Sequence, residues 1–284
     1  MKNRVRFLLI RLVQKDFFWK ALKPIASVGY FLFRKRRQYE LAQIEITKQR
    51  SVMEILNYTL EVLNGPFKGM TYPSLQSVGS TLYPKLLGSY EMEIQYQIED
   101  FASKNYSEII DVGCAEGYYA IGMALKCKSA KIYAFDINEK ARQLCKEMAV
   151  LNGVDKRVFV KSEFNAEKLK NFEFSKKGLI ICDCEGYEKL LFNESNISNL
   201  KNCDLIIETH DLIDIEITTY LKKLIKDTHN IISIYSKDDI HKALDFNFKE
   251  LDGLNLKKKR EILSENRKAI MEWLVCIPKG DYKN

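Results

Sequence analysis

The chain has 284 residues, 46% hydrophobic and 29% charged, which is ordinary for a globular protein and enough for one sizeable domain with an appendage. Its seven cysteines are an odd number with no C-x-x-C pair, which argues against a disulfide frame or a zinc site and for buried thiols in a reducing cytoplasm. The net charge of +7 belongs to the first 50 residues, with 13 Lys/Arg against 3 Asp/Glu, whereas the other 234 residues hold 32 basic and 35 acidic side chains; a nucleic-acid partner would want its basic stripe on the folded body.

Residues 1–50 read as helical, with apolar clusters (Phe7 to Ile10, Phe17 to Trp19, Tyr30 to Phe33) interrupted by Lys and Arg. The longest uncharged run, Pro24 to Phe33, is ten residues, about half of the ~20 that span a bilayer. Arg11 and Lys15 break the apolar core that a secretory signal needs. Two readings stay open. In one, residues 1–40 lie on the inner face of a membrane, with Arg34-Lys35-Arg36-Arg37 on anionic headgroups. In the plainer one they are a helical extension that packs on the main domain or on a second subunit of a homo-oligomer.

Glu40 to Val62 continues as an amphipathic helix through Ile44, Val52, Ile55, Leu56 and Leu60. Between Asn64 and Ser89 three prolines and four glycines interrupt regular structure, while Phe67, Tyr72, Tyr83 and Tyr90 suggest an ordered covering. Glu91 to Lys104 returns to helix. The expected organisation is a basic helical extension (1–63), a Pro/Gly-rich lid with a lead-in helix (64–106) and an α/β domain (107–284).

From Ser107 strands and helices alternate. Strands are expected at Ile109–Val112, Lys131–Phe135, Arg157–Lys161, Leu179–Cys182, Asp204–Ile207, Ile231–Tyr235 and Trp273–Ile277, with helices after Gly117, at Asn138–Leu151 and at Ile215–Lys226. Apolar strands of this kind are buried on both faces. The fold class is therefore α/β: a Rossmann-like, seven-stranded, mostly parallel sheet with helices on both faces, plus the N-terminal helical extension.

The stretch IIDVGCAEGYYAIGMAL, Ile109 to Leu125, is strand, tight turn and helix. Gly113 and Gly117 allow a sharp turn, and the following helix offers unpaired N–H groups. Dinucleotide folds want G-x-G-x-x-G; here the spacing is D-x-G-x-x-x-G, with Asp111 before the glycines and no lysine. That suits a cationic ligand without a pyrophosphate, such as S-adenosylmethionine. Asp136, 23 residues after Gly113, stands near the interval at which a carboxylate meets a ribose hydroxyl. The expected cofactor set is Asp111, Gly113, Cys114, Gly117, Tyr118, Asp136 and Ile137, with Tyr90 and Glu91 from the end of the lid.

Ligands of open α/β sheets bind beyond the carboxyl ends of the strands. The fourth strand closes on Asp183-Cys184-Glu185-Gly186 and the fifth on Glu208-Thr209-His210-Asp211. Each ending sets two ionisable groups on alternate residues. Asp183, Glu185, Glu208 and His210 form the candidate catalytic set, able to hold a hydroxyl acceptor and take its proton, with His210 as the natural base near neutral pH. The same donors could bind a divalent cation, although no metal is predicted.

DVGCAEGYYA, YAFDIN, IICDCEGYEKLL and the final EWLVCIPK together resemble the FkbM family of class I S-adenosylmethionine-dependent methyltransferases. The resemblance covers about Glu91 to Pro278, and D-x-E-G-x-E, Asp183 to Glu188, is its most specific part. The stretch NGPFKGMTYPS…STLYPKLLGSYEMEI resembles a segment that precedes the methyltransferase core in relatives associated with bacterial surface-glycan genes. The resemblance implies O-methylation of a sugar or glycan-precursor hydroxyl, with Asp111, Gly113 and Gly117 in the cofactor turn, Asp136 on the ribose, and Asp183 and Glu185 bordering donor and acceptor. Glu116 stands where many members are neutral, and Asp136 replaces a more usual Glu. The competing reading is a non-catalytic module that keeps the fold and docks partners at the membrane through its basic arm.

Overall fold

The computed structural model describes residues 2–280. It divides into two compact units, residues 1–54 and 55–284. The first is helical, α1 (Lys2–Val13) and α2 (Asp16–Ile55) parted at Gln14 and Lys15. Of the apolar cluster Phe7 to Ile10, the side chains of Leu8 and Leu9 lie outside the described residues. The helix expected to reach Val62 ends at Ile55, because Asn57 and Tyr58 take left-handed backbone, at φ 52° and 53°. Beyond them Val62 N–H donates to Met70 and Tyr72 N–H to Leu60, at 2.9 and 2.8 Å, so two short extended segments pair where the helix was expected to continue.

The second unit contains α3 (Leu82–Leu87), α4 (Gln95–Ala102), β1 (Glu108–Val112), α5 (Tyr118–Lys126), β2 (Lys131–Phe135), α6 (Glu139–Leu151), β3 (Val158–Lys161), α7 (Ala166–Lys170), β4 (Gly178–Cys182), α8 (Glu188–Leu191), β5 (Cys203–Thr209), α9 (Ile217–Ile225), β6 (His229–Tyr235), α10 (Asp239–Asp245), α11 (Leu256–Leu263) and β7 (Glu272–Pro278). The seven strands make one sheet in the order β3-β2-β1-β4-β5-β7-β6. Only β7 runs against the rest, antiparallel to both β5 and β6. Strands β1, β4 and β5 are buried along their whole length, as their unbroken apolar runs require when helices cover both faces.

Register sets the site. Val112 stands opposite both Phe135 and Cys182, so β1, β2 and β4 end level, and Gly113, Asp136 and Asp183 emerge side by side where the strand order reverses. The strand expected to stop at Ile207 runs on to Thr209, because β7 supplies partners for Glu208 (Trp273) and Thr209 (Glu272). The charged stretch before the last strand is folded as well. Asp238 and Asn255 cap α10 and α11, their side chains accepting backbone N–H groups of the first turn. All seven cysteines are free thiols.

Candidate functional site

The β1–α5 turn needs its glycines for two reasons at once. Gly113 has φ 83°, and a Cβ there would stand 1.6 Å from the Asp183 carbonyl oxygen; Gly117 has φ 102°, and its Cβ would stand 2.8 Å from Cys145 Sγ. Protein atoms fill the space that a side chain would take, so the turn lies directly against the end of β4. The N–H groups of Gly113 and Cys114 both donate to the Phe135 carbonyl, at 2.8 and 3.0 Å. Asp136 holds the rest of the turn, its Oδ2 accepting from Ala115 N–H at 2.9 Å and its Oδ1 from Asn138 N–H at 2.7 Å.

Beneath the turn, Asp111 is 3% exposed, and its Oδ2 has no hydrogen-bond partner among the described residues. Burial, reinforced by Asp183, Asp136 and Glu91, pushes its pKa up to about 8. An orphaned acidic oxygen in a cavity wall is a place for a cationic or hydrogen-bond-donating ligand.

His210 follows β5 and is buried. Its Nδ1 lies 2.8 Å from Oε1 of Glu188, a fully buried carboxylate. Glu188 also accepts from Gly186 N–H at 3.2 Å, where the β4–α8 loop turns through left-handed Glu185 (φ 54°) and Gly186 (φ 97°). The other ring nitrogen faces Asp183 Oδ1 at 3.4 Å and Glu185 Oε2 at 3.7 Å. Burial on its own would lower the pKa of His210, but Glu188, Asp183 and Glu185 outweigh it and raise it. The same pairing lowers Glu188 against its burial. Asp183 is raised to about 7, chiefly by burial and then by Glu91.

The segment 64–91 is pinned by buried charges. Glu116 in the turn and Lys85 in α3 are both almost wholly buried and pair at 2.5 Å. Glu116 also accepts from the Ser77 hydroxyl and Val78 N–H, at 2.8 and 3.0 Å. Burial raises the pKa of Glu116, but Lys85 more than reverses this and holds it below the ordinary value. The Lys85 ammonium lies 4.9 Å from the Tyr90 ring centre and 5.7 Å from that of Tyr118. Glu91 adopts φ 47°, a left-handed conformation that side chains other than glycine keep only when their surroundings enforce it. The enforcing contacts are Arg267, 2.7 Å away, and the Tyr119 hydroxyl. Arg267 also pairs with Glu208 and, at 2.7 Å, with Glu265, and it lies 4.8 Å over the Trp273 ring. Lys242 of α10 closes the network on Glu265.

These groups surround a cavity of about 730 Å³, within the range of small-molecule sites. Of the residues named from sequence, Asp183, Glu185, Glu208, His210, Asp111, Gly113, Cys114, Tyr118, Asp136, Ile137 and Tyr90 line it; Gly117 and Glu91 stand behind the wall. Glu208 is committed to Arg267 rather than to His210. Two residues were not given roles from sequence. Glu188 was visible in D-x-E-G-x-E but not as the partner of His210, and Arg267 lay in an undifferentiated charged stretch with no local signal. Among the described residues two groupings bring ligand atoms within 4.8 Å of one another, Asp183–Glu185–His210 and Glu91–Asp183–Glu208. In the second, Glu91 and Glu208 are already paired with Arg267.

Comparison with known proteins bears on the same region. No curated protein matches the chain. Among solved structures, an O-methyltransferase from Bacillus cereus in complex with SAH is 12% identical, over 67% of this chain and 82% of its own, with a TM-score of 0.44. TrmK from M. capricolum in complex with S-adenosylhomocysteine is 16% identical, over 66% and 70%, with a TM-score of 0.39. TrmN from Thermus thermophilus is 11% identical, over 67% and 48%, with a TM-score of 0.43. A family described as methyltransferase domain matches residues 103–268. That span runs from just before β1 to just past Arg267 and takes in more than half of the chain, which therefore belongs to the methyltransferase-domain family.

Proposed function

We propose that the protein moves the methyl group of S-adenosylmethionine to a hydroxyl oxygen of a sugar or surface-glycan precursor. The observation that carries the reading is the imidazole of His210, oriented from behind by buried Glu188 and facing Asp183 and Glu185 in front.

The cavity residues fit the donor. The orphaned oxygen of Asp111 and the raised pKa of that group suit a ligand that brings positive charge or a hydrogen-bond donor. Asp136 stands at the β2 end where a ribose would reach it. S-adenosylmethionine, when bound, supplies a methyl group on positively charged sulfur. Asp111 and Asp136 would hold such a ligand, residues 64–91 would exclude water, and the chain's main task would be alignment. With the donor bound, Nε2 of His210 would take the acceptor's hydroxyl proton as the oxygen receives the methyl group and the sulfur leaves as a neutral thioether. Glu188 keeps Nδ1 protonated and stabilises the imidazolium that results. Asp183 and Glu185 flank Nε2, where the acceptor's hydroxyls would be held.

Hydrogen-bonding capacity supports the acceptor reading: Asp136, Glu163, Asp183 and Glu185 line the cavity together with Arg267 and Lys268, a mixed set of acceptors and donors that suits a polyhydroxylated ligand. A screen of nucleotide sugars with S-adenosylmethionine, scored by mass spectrometry for one added methyl group, tests this. Methylation of a sugar by wild type and not by His210→Ala supports it. Methylation of tRNA instead, or of no hydroxyl acceptor, overturns it. Calorimetric titration with S-adenosylmethionine against NAD tests the donor separately.

A further inference from the structure

Helix α2 has an ordered surface that methyl transfer does not use. Asp16, Lys20, Lys23, Ser27 and Arg34 recur along it at steps of four, three, four and seven. At 100° per residue they fall within about 60° of arc, a narrow polar stripe. Phe17, Phe18, Leu22, Ile25 and Leu32 lie between about 100° and 240° from Asp16 and are exposed, Phe17 at 79% and Ile25 at 72%. Immediately beyond stand Arg34, Lys35, Arg36 and Arg37. The Arg34 guanidinium and the Lys35 ammonium each lie 5.8 Å from a ring centre, of Tyr30 and Phe31 respectively, so each cation lies against a ring one turn earlier.

We propose that residues 16–37 form an interfacial helix that lies flat on an anionic phospholipid surface, rings in the acyl boundary and cations among the headgroups. No helix among the described residues is long and apolar enough to cross a membrane, whereas a broad apolar face with a thin cationic stripe is the pattern of a helix that lies in the interface. Charge selects the occupant. Residues 1–40 hold eleven Lys/Arg against two acidic groups, so a self-complementary contact with a second copy would set cation against cation. A nucleic acid would satisfy the cations and leave the rings in water. Anionic lipid satisfies both.

The chain has two tryptophans. Trp273 is buried within the sheet, whereas Trp19 is 42% exposed on α2, so emission changes on binding report Trp19. The full chain is titrated with vesicles of phosphatidylcholine and phosphatidylglycerol in equal parts, and with phosphatidylcholine alone. The expected result is a shift to shorter wavelength with the mixed vesicles only, absent in Trp19→Phe. Replacing Arg34, Lys35, Arg36 and Arg37 together by Gln should weaken binding roughly a hundredfold or more, at about fivefold for each cation near an anionic surface. Phe17→Ser with Ile25→Ser should weaken it too, with circular dichroism confirming that each variant is folded. No shift with mixed vesicles, an equal shift with neutral ones, or a Trp19 already shielded in a lipid-free dimer by light scattering would each overturn the proposal. The inference stands independently of the acceptor's identity.

Discussion

Nδ1 of His210 lies 2.8 Å from a carboxylate oxygen of Glu188, and no water separates the two at that distance. The carboxylate is inaccessible and the imidazole nearly so, so the pair acts as a unit whose protonation is set inside the protein.

Replacing Glu188 by Gln removes the charge that raises His210. The imidazole then loses its proton at lower pH, and the acid limb of the kcat profile should move to lower pH. Turnover should fall by about 10²-fold, as the imidazolium formed in the reaction loses its support. The pair's contribution to stability needs an ionised Glu188 and a protonated His210. It is present between the carboxylate and imidazole ranges, is lost as pH rises through the raised His210 value, and is lost again as pH falls through the lowered Glu188 value. Thermal melts of both proteins from acid to alkaline pH check the window.

His210→Ala should lower kcat by about 10²–10⁴-fold while calorimetric affinity for S-adenosylmethionine stays near wild type. Equal loss of both would mean that His210 holds the donor and does not serve as the base.

Lys85→Met leaves Glu116 charged and buried without its partner. The expected cost is about 3–5 kcal/mol in urea unfolding, with faster proteolysis of residues 64–89. The double variant Lys85→Met/Glu116→Gln should recover much of that loss, because the stranded charge is gone. A double-mutant cycle measures the coupling.

Arg267→Met leaves Glu91, Glu208 and Glu265 facing one another. Glu265, held below the ordinary carboxylate range against its burial by Arg267 and Lys242, loses one of its two partners, so the destabilisation should reach about 3–5 kcal/mol near neutral pH and shrink in acid. Melting temperatures of variant and wild type should therefore converge as pH falls. A constant difference across pH would show that the loss is packing against Trp273.

The sheet was legible in the sequence because its strands are short apolar runs and its first turn is written in glycines, at Gly113 and Gly117. Asp136, Asp183 and His210 could be named because a strand end is a local feature. The ion pairs could not be read in the same way. Lys85 and Glu116 were each visible, but their meeting depends on how residues 77–85 fold against the turn. Arg267 lies 59 residues after Glu208, within a run of charges where nothing local separates a buried guanidinium from a solvated one. The end of β5 was misplaced for a related reason, since Glu208 and Thr209 have polar side chains and become strand only through backbone pairing with Trp273 and Glu272. The helix that stops at Ile55 stops on backbone geometry at Asn57 and Tyr58, which apolar periodicity does not encode.

The position of β7 has a consequence for assembly. It is last in the order of synthesis yet sits between β5 and β6, so those two strands remain unpaired edges facing a gap until it arrives. The residues that wall the acceptor side, Glu208 and His210 at the end of β5 and Arg267 just ahead of β7, take up their arrangement only when that gap closes. Closure is a long-range step of the kind that slows folding. Until it happens, two exposed edges invite pairing with other chains, and substitutions that loosen β7, such as at Trp273 or Val275, would be felt first as aggregation during synthesis and only afterwards as lost activity.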